Sequence, residues 1–128
     1  MKISSYTTRQ DDTLLKIANM FYFRFDLWPL IYYYNSESIG DKPNSLDSGV
    51  QLLIPIPPVT DERYVVDTDD SSYSLAEKFY GARELYYIID KSNNFEPLTA
   101  GDEIIIPALC SQLELDAASD IRRQLNVL

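Results

Sequence analysis

The side chains of this 128-residue chain that could bind a metal or act in acid–base catalysis are carboxylates, and several of them cluster in two short turns. Asp11 and Asp12 form one cluster, while Asp67, Asp69 and Asp70 form the other. The second cluster lacks the Asp-x-Asp-x-Asp-Gly frame and the distal glutamate of a calcium loop, which favours a solvated turn that caps a helix. The paired carboxylates are adjacent in sequence, whereas glycosidases place theirs across a cleft. We therefore predict neither a metal site nor a catalytic pair at these turns.

The rest of the composition excludes several classes of enzyme, metal site and binding partner. The chain has no histidine, which excludes histidine-based triads and zinc-water hydrolases. The single cysteine, Cys110, permits neither an internal disulfide nor a cysteine metal cage. The formal net charge of −9 makes nucleic acid and anionic membrane surfaces unfavourable partners. These features predict a protein that is not an enzyme and that needs no cofactor.

The sequence also repeats itself. At an offset of 58 residues Tyr6 falls on Tyr64, and the match continues without a gap as far as Asn35 and Asn93. Beyond these asparagines the offset falls to 52 residues, so the loop that follows is six residues shorter in the second copy. Because loops tolerate changes of length better than packed elements do, a duplication with one loop deletion explains the pattern.

Each copy predicts the same order of elements. A β-prone segment leads into an Asp-Asp-Thr or Asp-Asp-Ser helix cap and then a first helix. A second short helix is centred on Leu27–Asn35 or on Leu85–Asn93, with Asp26 as the predicted cap of the former and Pro29 in its first turn. A polar loop then precedes an apolar strand closed by proline. The predicted fold is α+β, with two βααβ modules whose strands pair antiparallel beneath both helices.

The predicted domain boundaries follow from the repeat. The first module spans residues 1–57, a proline-rich linker spans 58–62, and the second module spans 63–109. The remaining tail, 110–128, carries apolar residues three or four positions apart, which predicts an amphipathic helix. Its apolar stripe consists of Leu113, Ala117, Ile121, Leu125 and Leu128. We expect this helix to dock on the chain's own modules or on a partner.

The motifs of both copies resemble the LysM module. That module begins Tyr-x-Val, continues Gly-Asp-Thr-Leu-x-x-Ile-Ala, ends its second helix in Asn and closes with Leu-x-x-Gly-x-x-Leu-x-Ile-Pro. In the first copy the matching residues are Tyr6, Asp12, Thr13, Leu14, Ile17, Ala18, Asn35, Leu46, Gly49, Leu52, Ile54 and Pro55. In the second copy they are Tyr64, Val66, Asp70, Ser71, Leu75, Ala76, Asn93, Leu98, Gly101, Ile104, Ile106 and Pro107. The resemblance covers residues 4–57 and 62–109 and implies two tandem modules.

One function that the resemblance implies is binding of N-acetylglucosamine polymers such as peptidoglycan or chitin. The family binds them between the strand-to-helix loop and the loop before the second strand. Transferred by position, the glycan groove comprises Gln10, Asp12, Thr13, Asn35, Asp70, Ser71 and Asn93. The glycine that the family has before Asp-Thr is replaced here by Asp11 and Asp69, which turns an acidic rim toward an acidic wall polymer. Peptidoglycan binding is therefore the alternative function.

A second branch of the family resembles this chain more closely. It comprises small LysM-like proteins in the tails, baseplates and hubs of contractile phages and related injection machines, where the module is a protein–protein adaptor. The run Leu27–Tyr32 is similar to the second helix of that branch, and the start Met1–Ser4 leads into no apolar stretch of a secretory signal. We expect synthesis in the cytoplasm, incorporation into a virion tail or injection particle, and other tail, baseplate or hub proteins as partners.

Aromatic residues indicate where those partners would bind. The helix pair of the first copy holds more aromatic side chains than so small a module can bury. Exposed aromatic side chains are typical of protein interfaces. The predicted partner-binding residues are Tyr22, Phe23, Phe25, Trp28, Tyr32 and Tyr33.

Overall fold

The computed structural model describes residues 3–127, and the chain divides into two compact units. Module 1 joins Met1–Pro57 to Cys110–Leu128, and module 2 is Pro58–Leu109. Each module combines helices with a two-stranded antiparallel sheet. The predicted α+β fold of tandem βααβ modules is thus confirmed. Among the described residues, no helix has both the length and the apolar character that crossing a membrane requires.

Module 1 follows the predicted order with one addition. Its elements are β1 (Ile3–Thr7), α1 (Leu14–Tyr22), α2 (Trp28–Tyr34), α3 (Ser36–Ile39) and β2 (Gln51–Pro55). The two strands pair antiparallel with Tyr6 opposite Leu52. The short helix α3 lies in the segment that the sequence predicted as a polar loop.

The caps of α1 and α2 differ in how well they were predicted. Thr13 caps α1, because its hydroxyl accepts a hydrogen bond from the Lys16 amide at 3.1 Å. Asp26 was predicted to cap α2, and this is wrong. Its carboxylate pairs with Arg24 at 2.7 Å, and α2 instead continues from a 3-10 turn, with Pro29 at its start.

Module 2 repeats these elements in a shorter form. They are β3 (Glu62–Val65), α4 (Ser72–Tyr80), α5 (Tyr86–Ser92) and β4 (Glu103–Ile106). Ser71 caps α4 and accepts a hydrogen bond from the Ser74 amide at 3.1 Å. Between Pro58 and Leu109 no helix corresponds to α3, because the six deleted residues fall where α3 would lie.

The cores of the two modules use matching positions. Ile54 and Ile106 point from their sheets into the helices and are buried. The Tyr22 hydroxyl donates to the Pro55 carbonyl at 2.6 Å, and Tyr80 makes the same bond to Pro107 at 2.7 Å. Tyr22 is completely buried, so its prediction as a partner-binding residue is wrong. A tyrosine can join so small a core because its one polar atom finds an acceptor there.

The C-terminal segment forms helix α6 (Gln112–Gln124), which packs against α1 within module 1. Ala118 is fully buried in this contact. The Arg122 guanidinium lies 4.5 Å from the centre of the Phe21 ring and donates to the Met20 carbonyl at 2.7 Å. The contact of α6 with α1 therefore includes one small buried residue and one long cationic side chain.

The apolar stripe predicted for the tail is wrong at its ends. Leu113 is 80% exposed, and Leu125 is exposed as well. A spacing of four residues advances about 40° too far around a helix of 3.6 residues per turn, so the stripe leaves the packed face. The buried face is centred on Ala118 instead, and Leu128 lies outside the described residues.

The sequence of α1 explains why its surface accepts a helix. Met20 is buried beneath α6, whereas the matching residue of module 2 is Lys78. The Lys78 ammonium lies 5.0 Å from the centre of the Tyr64 ring and 5.4 Å from that of Phe79. An ammonium at this position keeps the face of α4 polar, while methionine gives α1 an apolar surface to cover.

Arg122→Ala is expected to loosen α6 from α1, because it removes the ring contact and the hydrogen bond to Met20. We expect a loss of about 1–2 kcal/mol in the stability of module 1. Arg123→Ala is the matched control, since Arg123 forms a surface ion pair with the exposed Asp120, and its loss should cost less than about 0.5 kcal/mol. Urea denaturation of both variants checks this, and equal losses would contradict the assigned role of Arg122.

Candidate functional site

Asp12 and Asp70 hold the strand-to-helix turns in place. Asp12 accepts hydrogen bonds from the Tyr6 hydroxyl at 2.5 Å and from the Arg9 amide at 2.7 Å. In module 2, Asp70 accepts from the Tyr64 hydroxyl at 2.6 Å and the Asp67 amide at 2.7 Å. The bond from Tyr64 lowers the pKa of the Asp70 carboxyl, and the same bond raises the pKa of Tyr64 to about 12. These carboxylates therefore have a structural role in both modules.

The two aspartates that stand where the LysM pattern has glycine adopt different backbone conformations. Asp11 has a φ of +68°, in the left-handed region that favours glycine, whereas Asp69 has no positive φ. Only module 1 thus keeps the turn conformation that a glycine would give, and it does so with an exposed carboxylate.

Asn35 is committed to the fold. Its amide nitrogen donates to the carbonyls of Ile31 at 2.8 Å and Leu53 at 2.7 Å, and its amide oxygen accepts from the Leu53 backbone N–H at 2.8 Å. Because the side chain is buried and both ends of its amide are bonded, Asn35 cannot serve a ligand as predicted. In module 2, the Asn93 amide donates instead to the Glu96 carbonyl at 3.1 Å.

Module 2 has an open groove where the resemblance places the glycan site. Its volume is about 370 Å³, and it brings together the predicted residues Asp70 and Ser71 but not Asn93. Its lining consists of Asp70, Ser71, Ser72, Tyr73, Asp90, Phe95, Glu96, Pro97 and Leu98. The Tyr73 ring lies 4.3 Å from the Tyr86 ring, measured between ring centres. The groove thus combines aromatic surface, hydroxyl groups and three carboxylates.

In module 1 the predicted groove residues separate. Thr13 caps α1, while Gln10 and Asp12 line a different groove of about 360 Å³ between α1 and the C-terminal segment. The apolar part of this groove consists of Met20, Phe25, Ile121, Leu125 and Val127. Arg9 also lines this groove and donates to the carbonyls of Leu125 at 3.2 Å and Asn126 at 3.0 Å. The repeat could not indicate this groove, because one of its walls has no counterpart in module 2.

The predicted aromatic residues of module 1 lie in three environments. Phe23 and Phe25 are 45% and 56% exposed, and Tyr33 is also exposed. Trp28 and Tyr32 are half-buried, with ring centres 6.3 Å apart, and the Tyr32 hydroxyl donates to the Gly40 carbonyl at 2.8 Å. Tyr22 is in the core, as described above. The structure adds one exposed aromatic side chain that the prediction omitted, Tyr34.

Phe23 has an unusual backbone conformation. It ends α1 in the left-handed region with a φ of +57°, and Gly81 holds the matching position of module 2 with a φ of +78°. Phe95 in the groove of module 2 is likewise left-handed, with a φ of +59°, and is 72% exposed. A bulky residue with positive φ is an outlier, and such outliers concentrate at functional sites.

The titratable groups form no metal centre within residues 3–127: no three His, Cys, Asp or Glu side chains there are arranged to hold a metal ion. Cys110 is buried at the start of the C-terminal segment. Burial and the nearby Glu114 carboxylate raise the pKa of its thiol to about 11. The thiol is therefore protonated at neutral pH.

No family model matches this chain, and no curated protein matches it. Among solved structures, the chain is similar to the spore cortex-lytic enzyme SleL of Bacillus megaterium QM B1551, at 27% identity and a TM-score of 0.32, over 83% of this chain and 23% of that one. It is also similar to the ectodomain of a receptor like kinase, at 21% identity and a TM-score of 0.33, over 85% of this chain and 61% of that one. The chain thus spans less than two thirds of either structure.

Proposed function

We propose that this chain is a non-enzymatic LysM-like adaptor that joins proteins in a phage tail, baseplate or contractile injection machine. Phe23 is the observation that carries the proposal. The left-handed conformation costs a residue with a side chain roughly 1–2 kcal/mol, and Phe23 adopts it while 45% of its surface stays exposed. Since glycine fills the same position of module 2 without strain, the phenylalanine is best explained by a partner that covers it.

The residues beside Phe23 support the same interpretation. Phe25 is exposed at the groove between α1 and the C-terminal segment, where module 2 has Arg83. Arg24, between the two phenylalanines, pairs with Asp26 at 2.7 Å and reaches Glu114 of α6 at 3.8 Å. These ion pairs of Arg24 hold the segment that carries Phe23 and Phe25 in place. Aromatic side chains that are already positioned lose little entropy when a partner binds.

We assign the adaptor to a tail, baseplate or injection machine because Leu27–Tyr32 resembles the second helix of the LysM-like proteins found in those assemblies. The net charge of −9 adds selectivity, because it repels acidic surfaces and attracts basic ones. Other tail, baseplate or hub proteins with a basic, partly apolar surface are the partners that this combination fits.

The groove of module 2 supports a second candidate, binding of an N-acetylglucosamine polymer. Its aromatic rings, Tyr73 and the strained Phe95, could stack on sugar rings, while the hydroxyls of Ser71 and Ser72 supply hydrogen bonds. The carboxylates that line it oppose an acidic wall polymer. This leaves glycan binding as the alternative.

Two matched glycine variants separate the candidates. Phe23→Gly installs the residue of module 2, so we expect module 1 to gain about 0.5–1 kcal/mol in stability while affinity for purified tail or baseplate proteins of the source falls at least tenfold. Phe95→Gly relieves the same kind of strain in module 2 and should leave that affinity unchanged. Unaltered binding by Phe23→Gly would contradict the proposal. Loss of chitin-oligomer or peptidoglycan binding in Phe95→Gly alone would establish the alternative.

A further inference from the structure

The outer edges of the strands differ between the two modules. In an antiparallel pair, alternate residues direct their backbone N–H and C=O groups away from the partner strand. In module 2, the bond from the Val66 N–H to the Asp102 carbonyl fixes this alternation, so the groups of Glu103 and Ile105 on β4 point outward. The residue of β2 that matches Ile105 is Leu53, whose groups point outward in the same way.

In module 1 this edge is closed by the chain itself. The Asn35 amide bonds both the N–H and the C=O of Leu53, as an added strand would do. Helix α3 stands beside it, and its residues Ser36–Ser38 line one groove together with Gln51 and Leu53. Natural proteins protect edge strands in such ways because an open edge pairs with other chains.

In module 2 both protections are missing. The Asn93 amide bonds the Glu96 carbonyl, and the six-residue deletion removes the counterpart of α3. Across residues 3–127 no hydrogen-bond partner reaches the outward N–H and C=O of Glu103 or Ile105. The Ile105 side chain is also 39% exposed. The β4 edge thus offers two donors, two acceptors and an apolar side chain.

We propose that the β4 edge of module 2 binds an extended segment of a partner protein as an added strand, with apolar and basic side chains alternating along that segment. Main-chain hydrogen bonds would supply affinity, as they do in other cases of strand addition. The exposed carboxylates of Asp102 and Glu103 favour Lys or Arg on the incoming segment, which would join or replace Arg63, the β3 residue that pairs with Glu103 at 3.4 Å. The exposed Ile105 favours an apolar residue beside them. A second copy of this chain fits poorly, because each copy carries a net charge of −9.

This proposal does not depend on the adaptor surface of module 1. The strand edge lies in module 2 and binds through backbone groups, whereas the adaptor surface lies in module 1 and binds through aromatic side chains. Phe23→Gly should therefore leave strand addition at β4 intact, and a failure of either proposal can be recognised separately.

Amide hydrogen exchange of the intact chain, resolved by residue with NMR, tests the proposal in two steps. In the free protein the Leu53 amide should exchange at least about 100-fold more slowly than the Ile105 amide, because only Leu53 is bonded. A synthetic octapeptide of alternating valine and lysine should then slow exchange at Glu103 and Ile105 at least tenfold. The same peptide with its bonding amides N-methylated should not, because it lacks the donors.

Three results would overturn the proposal. They are a protected Ile105 amide in the free protein, no slowing at saturating peptide, and equal slowing by the N-methylated peptide. Ile105→Pro removes the outward N–H without touching a bond to β3, and it should abolish the effect. Should that variant fail to fold, Ile105→Lys keeps the backbone edge and should weaken peptide binding at least tenfold. Dimerisation that itself protects Ile105 would assign the edge to a second copy instead.

Discussion

Aspartate in place of Ile54 is expected to unfold module 1. The Ile54 side chain is fully buried between the sheet and the helices, so the substitution places an unpaired carboxylate in a thin core. A loss of about 3–5 kcal/mol is comparable to the whole stability of a module of this size. Ile106→Asp should do the same to module 2, where Ile106 holds the matching buried position.

The neighbouring residue gives a matched control. Leu53 lies on the opposite face of the same strand and is 45% exposed. Leu53→Asp should cost less than about 1 kcal/mol, because its carboxylate stays in water. Circular dichroism during urea denaturation measures both variants, and a similar loss in the two would refute the strand register.

Asn35→Ala is expected to have the second largest effect. It leaves two half-buried backbone groups, the N–H and C=O of Leu53, without the bonds that the amide gives them. The Ile31 carbonyl loses one bond but keeps the one from the Asn35 backbone N–H at 3.2 Å. A loss of about 1–3 kcal/mol follows, because polar groups left without a partner in a half-buried position cost more than the bonds themselves contribute.

Module 2 again supplies the control for this substitution. Asn93 makes a single exposed bond to the Glu96 carbonyl, so Asn93→Ala should cost less than about 1 kcal/mol. Thermal unfolding of both variants, with the Leu53 amide followed by hydrogen exchange, distinguishes the two positions. If Asn35→Ala left the Leu53 amide protected, the role assigned to Asn35 would be incorrect.

The repeat made the fold predictable because both copies have to satisfy the same pattern. The apolar runs Gln51–Pro55 and Glu103–Ile106 became the second strands, and Thr13 and Ser71 became the caps of the first helices. Helix α3 was not predictable in this way, since it lies in the loop that the copies do not share. Local polarity alone indicated a loop there.

The site was less predictable than the fold, for physical reasons that the residues show. The sequence predicted Tyr22 as an exposed aromatic residue because it does not reveal that the core offers its hydroxyl an acceptor, the Pro55 carbonyl. Likewise, the family pattern marks Asn35 but does not indicate whether its amide serves a ligand or a strand. The strain at Phe23 could have been inferred, because aligning it with Gly81 suggests a position of positive φ.

The most direct test of the adaptor function compares two binding partners for the same intact chain. One arm measures sedimentation with insoluble peptidoglycan, and the other measures binding to purified tail and baseplate proteins of the source, each with wild type, Phe23→Gly and Phe95→Gly. The adaptor function predicts little sedimentation and saturable protein binding that Phe23→Gly weakens at least tenfold. Tight, saturable sedimentation that Phe95→Gly abolishes, together with no protein binding, would contradict it.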